Sequence, residues 1–128
     1  MTPALLRSFE SSHILLVVNT VRDFKASVFQ VLGHTTRLQI IEALHNRELP
    51  VGEIIKRVGR DASNISQHLA SLRLHGLVVN RKEGSQVFYA VRDPLLFQVL
   101  ALMRRYATAH VQDHMALLRK YRAQESRR

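Results

Sequence analysis

The segment VGEIIKRVGRDASNISQHLASLRLHGLV, residues 51–78, constrains the fold more than any other part of the chain. Val51, Ile54, Ile55 and Val58 recur at i, i+3, i+4 and i+7, the spacing of a short amphipathic helix. Gly59 stops that helix, Arg60 makes the turn, and Asp61 offers an N-cap to the next one. There Ala62, Ile65, Leu69 and Leu72 form a thin buried stripe, and Gly76 is the C-terminal stop. Two short helices joined by a tight turn make a helix-turn-helix.

The flanks add to this unit. Residues 4 to 32 read as helical, without internal Pro or Gly, and Phe24, Val28, Val31 and Leu32 keep helical spacing. A break near Asn19-Thr20 is compatible with the pattern. Gly33 ends the element. HTTRLQIIEALHN is the next helix, capped by Thr35 or Thr36, with Leu38, Ile41 and Leu44 on one face. A short link containing Pro50 follows. After Gly76 the period changes. LVVNRKEGSQVFYAVRD is rich in β-branched and aromatic residues and reads as two antiparallel strands, 77–82 and 86–91, turning at Glu83-Gly84. Asp93-Pro94 is a cap with proline at the first helical position. It opens a helix of roughly 28 residues, about 40 Å long. The basic end, RKYRAQESRR, is expected to fray.

The expected fold is therefore mainly α with a small β-hairpin, in one domain spanning 1–128. Residues 1–32 form an N-terminal dimerisation helix or helices, 35–92 a DNA-binding core and wing, 93–122 a C-terminal dimerisation helix, and 123–128 a basic tail. Dimerisation is expected because apolar residues spread around the first and last helices, more than a small monomer can cover.

Composition narrows the function. Of 128 residues, 46% are hydrophobic, enough for a buried core. The absence of cysteine removes disulfides, thiolate metal sites and thiol catalysis. Nineteen Lys and Arg against ten Asp and Glu leave a net charge of +9, which favours a polyanionic partner over a merely soluble basic protein. The longest apolar run near the N-terminus, ILLVV at 14–18, falls far short of the roughly 20 residues that span a bilayer. No signal-peptide pattern accompanies it, so a cytoplasmic protein without a membrane partner is expected. Catalysis finds no glycine-rich phosphate loop and no paired carboxylates. Ser63 and Ser66 near His68 are helix neighbours, with nothing to orient the imidazole.

The second helix of the pair has an unusual outer face. Ser63, Asn64 and Gln67 point opposite the Ile65/Leu69/Leu72 stripe, Ser66 and His68 flank them, and Arg73 lies where a phosphate could pass. A helix-turn-helix followed by a basic hairpin is a winged helix, whose second helix enters the major groove. Asn and Gln can pair with adenine, and Ser can reach bases or phosphates. Arg81 and Lys82, just before the hairpin tip, would hold phosphate. A solvated face that happens to lack long charges is the plainer alternative; the hairpin, the net charge and the helix order weigh against it.

HTTRLQIIEAL, ELPVGEI, SNISQHLASLRLHGLV and GSQVFYAV, in this order, resemble the successive blocks of ArsR/SmtB-type winged-helix repressors. The resemblance covers about residues 25 to 120, and residues 1 to about 20 exceed the usual core. It implies a homodimer that binds an inverted-repeat operator in double-stranded DNA, usually repressing, with release when an effector binds. The competing reading is a nonspecific nucleoid-associated or protein-contacting winged-helix module.

The family's two common metal positions do not carry over. Pro50 and Gly52 stand where one site has Cys-x-Cys. Asp93 matches the first ligand of the other, but Leu95, Tyr106 and Ala109 stand at the rest, and none is a good zinc ligand. One cluster remains. His110 and His114 are i, i+4, with Asp113 beside them, a spacing that lets two imidazoles hold one ion. Three readings stay open: polar residues of a dimer seam, a pH-sensitive seam, or a divalent-metal site completed by the partner chain. His13, His34, His45, His68 and His75 are scattered and read as surface or packing residues. No cofactor is assigned, and the effector is open.

Overall fold

The computed structural model describes residues 3–127, with the side chains of 3–6, 8 and 9 left aside. The elements are α1 (Pro3–Leu32), α2 (Thr35–Ala43), β1 (Leu49–Pro50), α3 (Val51–Val58), α4 (Ala62–Leu74), β2 (Val78–Glu83), β3 (Gln86–Val91) and α5 (Leu95–Glu125). The chain divides into two compact units, Met1–Arg92 and Asp93–Arg128.

In the first unit the core is a single apolar cluster. Val31 and Leu32 close α1; Ile40, Ile41 and Leu44 come from α2 and its end. Ile54 comes from α3, Ile65, Leu69 and Leu72 from α4, and Leu49, Leu77 and Val78 from the sheet side. Each such side chain contributes about 1.5–3 kcal/mol of transfer free energy on burial. Two expected members are displaced. Ala62, in the first turn of α4, is exposed, and Leu38 is only half-buried, the inner position of α2 being taken by Ile40.

Local chemistry sets the helix ends. α3 stops at Gly59, which sits at φ 74° and donates its N–H to the Ile55 carbonyl at 2.9 Å. Gly59 takes this left-handed conformation without the steric cost a Cβ brings. At the end of α4, Gly76 donates to Arg73 O at 3.0 Å and Leu77 to Leu72 O at 2.9 Å, the paired bonds of a Schellman motif. Leu77 is thereby held in the cap, so β2 begins at Val78, one residue later than the spacing suggests. The cap of α2 is neither threonine. His34 is the extended residue, and its Nδ1 accepts the Thr36 N–H at 3.2 Å. Thr35 and Thr36 are already helical.

The sheet has three strands, not two, in the order β1-β3-β2, all antiparallel. Leu49 and Pro50, read from sequence as a link, pair with Tyr89 and Phe88. Pro50 lacks an N–H, which confines it to such an edge. In the hairpin, Glu83 pairs with Gln86, and Gly84 has φ 60°. The turn is thus Gly84-Ser85.

Two other expectations change. α1 continues through Asn19-Thr20, where the Thr20 hydroxyl donates back to Leu16 O at 2.8 Å and is satisfied inside the helix. α5 stays helical to Glu125 instead of fraying across 119–128. Residues 95–125 hold no Gly or Pro and many Ala, Leu, Arg and Gln, all good helix formers. At about 46 Å it is long for one domain. At its start Asp93 Oδ1 accepts the Leu95 N–H at 2.9 Å. None of its residues is buried.

Candidate nucleic-acid interface

The turn after Gly59 delivers Asp61 in an extended conformation, and its Oδ1 accepts the Asn64 N–H at 2.6 Å. This cap fixes where α4 begins, and hence which residues face outward. Ser63, Ser66, Gln67, Ala70, Arg73 and Leu74 are exposed, at i, i+3, i+4, i+7, i+10 and i+11. They make one continuous stripe opposite Ile65, Leu69 and Leu72. Ala70 and Leu74 were not singled out from sequence, although the spacing alone places them there. Leu74 is 83% exposed, an apolar tip on a polar face.

Two residues expected on this face are turned partly inward. Asn64 is half-buried, and its Oδ1 is buried with no hydrogen-bond partner. His68 is half-buried against α2. Arg37 Nε donates to His68 Nδ1 at 3.1 Å, and the rings of His34 and His68 lie 4.3 Å apart, tilted by 44°. Arg37 also donates to Val31 O at 3.0 Å. Burial, and then the charges of His34 and Arg37, hold the His68 pKa below the ordinary imidazole range. His68 thus accepts at Nδ1 from Arg37, turned toward α2, which leaves its proton on Nε2. Sequence reasoning assigned Arg37 no role and read His34 as scattered; the only available signal was the position of His34 directly before the helix.

The hairpin also differs from expectation at one cation. Arg81 donates through Nε and NH2 to both carboxylate oxygens of Glu48, at 2.8 and 2.5 Å. Its NH1 reaches Glu83 at 2.5 Å, and the guanidinium lies 4.6 Å over the Phe88 ring. The Arg81 hydrogen bond holds the Glu48 carboxyl below its usual pKa. Arg81 therefore ties the hairpin to the segment before β1, with three of its five N–H donors engaged by carboxylates. Lys82, next along β2, is exposed and forms no ion pair among the described residues. Arg73 likewise remains exposed on α4.

The histidines of α5 are equally exposed. His110 packs on the Tyr106 ring with centroids 4.4 Å apart. Among the described residues no three His, Asp or Glu side chains gather within the chain to hold a metal, so His110, Asp113 and His114 do not form a site by themselves. Asp93 is occupied as the cap of α5.

Fold and face together define a winged helix-turn-helix transcriptional regulator, a class that works by placing its second helix on DNA rather than by catalysis. Residues 34–79 match the family described as bacterial regulatory protein, arsR family. The uncharacterized HTH-type transcriptional regulator Rv0081 of Mycobacterium tuberculosis is 36% identical over 100 residues, covering 77% of this chain and 88% of that protein. The Rv0081 crystal structure matches with a TM-score of 0.67 at 33% identity, over 74% of this chain and 96% of the other. A homodimeric winged helix-turn-helix DNA-binding domain from Mycobacterium bovis, solved in solution, matches with a TM-score of 0.66 at 29% identity, over 73% and 87% of the two chains. The transcriptional activator HlyU of Vibrio cholerae is 38% identical over 78 residues, 61% of this chain and 72% of HlyU. The chain belongs to the ArsR family of bacterial regulatory proteins.

No described helix is long and apolar enough to cross a membrane.

Proposed function

We propose that the protein acts in the cytoplasm as a homodimer that binds an inverted-repeat operator sequence-specifically and represses transcription. The observation that carries this reading is the exposed stripe of α4, short polar side chains around Gln67 on a helix whose start is pinned by Asp61. Such side chains let the backbone approach base edges, where long Lys or Glu would hold it away. Ser63, Ser66 and Gln67 face the bases. Asn64 joins them only by rotating its amide out of the core, which costs little because its Oδ1 has no partner to lose. Arg73 and Lys82 meet phosphates, and Arg81 holds the hairpin at its angle. Support for the homodimer comes from the M. bovis neighbour, described as homodimeric, and from α5, none of whose residues is fully buried within one chain.

Selection from a random-sequence DNA pool tests the reading. A consensus with inverted symmetry is expected, bound roughly 10³-fold or more over nonspecific DNA. Gln67→Ala should flatten preference at one or two positions per half-site, worth about 1–3 kcal/mol each. Lys82→Ala should weaken all sequences alike and lower the salt slope by about 0.9 for each phosphate that the lysine neutralises. Binding with no consensus, and no effect of Gln67→Ala on preference, would establish the nonspecific module instead. Repression is separated from activation by transcription from a promoter carrying the selected site.

A further inference from the structure

Arg37, His34 and His68 join three elements that the DNA-binding reading treats separately. The Arg37 guanidinium bonds the last turn of α1 through Val31 O and the middle of α4 through His68 Nδ1. His34 caps α2 and packs its ring against His68. We propose that this cluster is a clasp that positions the recognition helix, and that proton uptake by His68 opens it, so that DNA binding weakens as pH falls below neutrality. The proposal rests on α4 being the DNA-reading helix.

The chemistry follows from the donors. A guanidinium Nε–H and a backbone N–H can only donate, so both imidazoles accept at Nδ1, His68 from Arg37 and His34 from Thr36. An imidazolium has no acceptor nitrogen. Protonation of His68 deletes its bond to Arg37 and sets two cations 3.1 Å apart where a hydrogen bond stood. The charged or titratable groups facing His68 are His34, from the α1–α2 link, and Arg37, from α2; α3 and β2, also packed on α4, contribute no charge to it among the described residues.

The sign is definite. Burial and the neighbouring charges lower the folded-state pKa of His68, so the unfolded chain takes up this proton more readily. The stability it contributes is full above about pH 6.5, the unfolded value. It is lost as pH falls from there through the lowered folded value. An imidazolium that touched phosphate would act oppositely, tightening binding on acidification.

The test uses the full-length protein and the duplex it selects from a random pool. Asn places its Oδ1 where imidazole places Nδ1, accepts without titrating, and is itself a favoured N-cap. His34→Asn/His68→Asn should bind at pH 7.5 within about twofold of wild type, and between pH 7.5 and 5.5 it should lose roughly 3- to 10-fold less affinity, the scale of one coupled proton. Arg37→Gln should weaken binding at both pH values. Identical pH profiles for wild type and the double variant, or tighter wild-type binding at pH 5.5, would overturn the proposal. Thermal unfolding across the same pH range judges the clasp without DNA. Wild type should lose more stability on acidification than the double variant, and equal loss refutes the clasp even if selection returns no consensus.

Discussion

Between Val31 and Val78, twelve apolar side chains are buried among the described residues; the thirty-one residues of α5 bury none. The two regions do not differ in kind of residue. α5 carries Leu95, Val99, Leu102, Met103, Tyr106, Val111, Met115, Leu117, Leu118 and Tyr121, all exposed. They differ in what covers them. The short helices of the core each present one stripe, and three of them with a small sheet close around a common centre. α5 carries apolar residues around much of its circumference, which no single neighbouring face can cover. Leu96, Leu100, Met103, Ala107, His110, His114, Leu117 and Tyr121 also keep a 4-3 spacing along it, the period of a helix–helix seam. The core is thus complete within one chain, and α5 is the surface that the proposed homodimer would cover with a second copy.

The strongest challenge to that contrast is Leu100→Asp/Met103→Asp. In the proposed homodimer it places four carboxylates in an apolar seam, each costing several kcal/mol if left unpaired. Sedimentation should show monomers, with operator binding lost and the core still folded by circular dichroism. A dimer that survives the double substitution means that α5 is not covered by its copy. Next in size is Ile65→Ala. Ile65 is 0% exposed at the centre of the core, and truncation there should cost about 2–5 kcal/mol in urea unfolding. A cost below about 1 kcal/mol would show that the core collapses around the gap and is less tightly specified than its burial implies. The smallest effect is expected at the cap. Asp61→Ala removes the acceptor for Asn64 N–H and should cost about 1 kcal/mol. Its value lies in a second readout: if the cap sets the exposed stripe, operator preference should blur along with the loss of stability.

Much of the core was legible because its signals are local. A glycine after α3, an aspartate before α4 and a glycine after α4 each act within one turn of the helix they bound, and hydrophobic spacing registers the helices between them. The outward stripe of α4 follows from the same arithmetic, so Ser63, Ser66 and Gln67 were found without coordinates. The same arithmetic went astray where a tertiary partner competed. Asn64 and His68 fall beside that stripe by spacing, yet the core draws one and α2 the other. Leu77 has a strand-like sequence, yet the Schellman cap claims its N–H. α1 and α5 were legible as long helices, and Gly33 marked the end of α1; the C-terminal end of α5 was not legible, since nothing in the final basic residues marks a stop.

The sequence by itself determined the order and nature of the elements, the helix-turn-helix, the hairpin, the basic charge and the polar face, because propensity, capping and periodicity act between residues a few positions apart. Only the tertiary structure decided which cations are held by partners distant in sequence. Arg81 and Glu48 are 33 residues apart, Arg37 and His68 31 apart, and β1 pairs with a strand nearly 40 residues later. No local pattern encodes such pairs. They exist because burying the core brings distant segments within hydrogen-bonding reach, where a guanidinium with several fixed donors takes whichever acceptors the fold supplies.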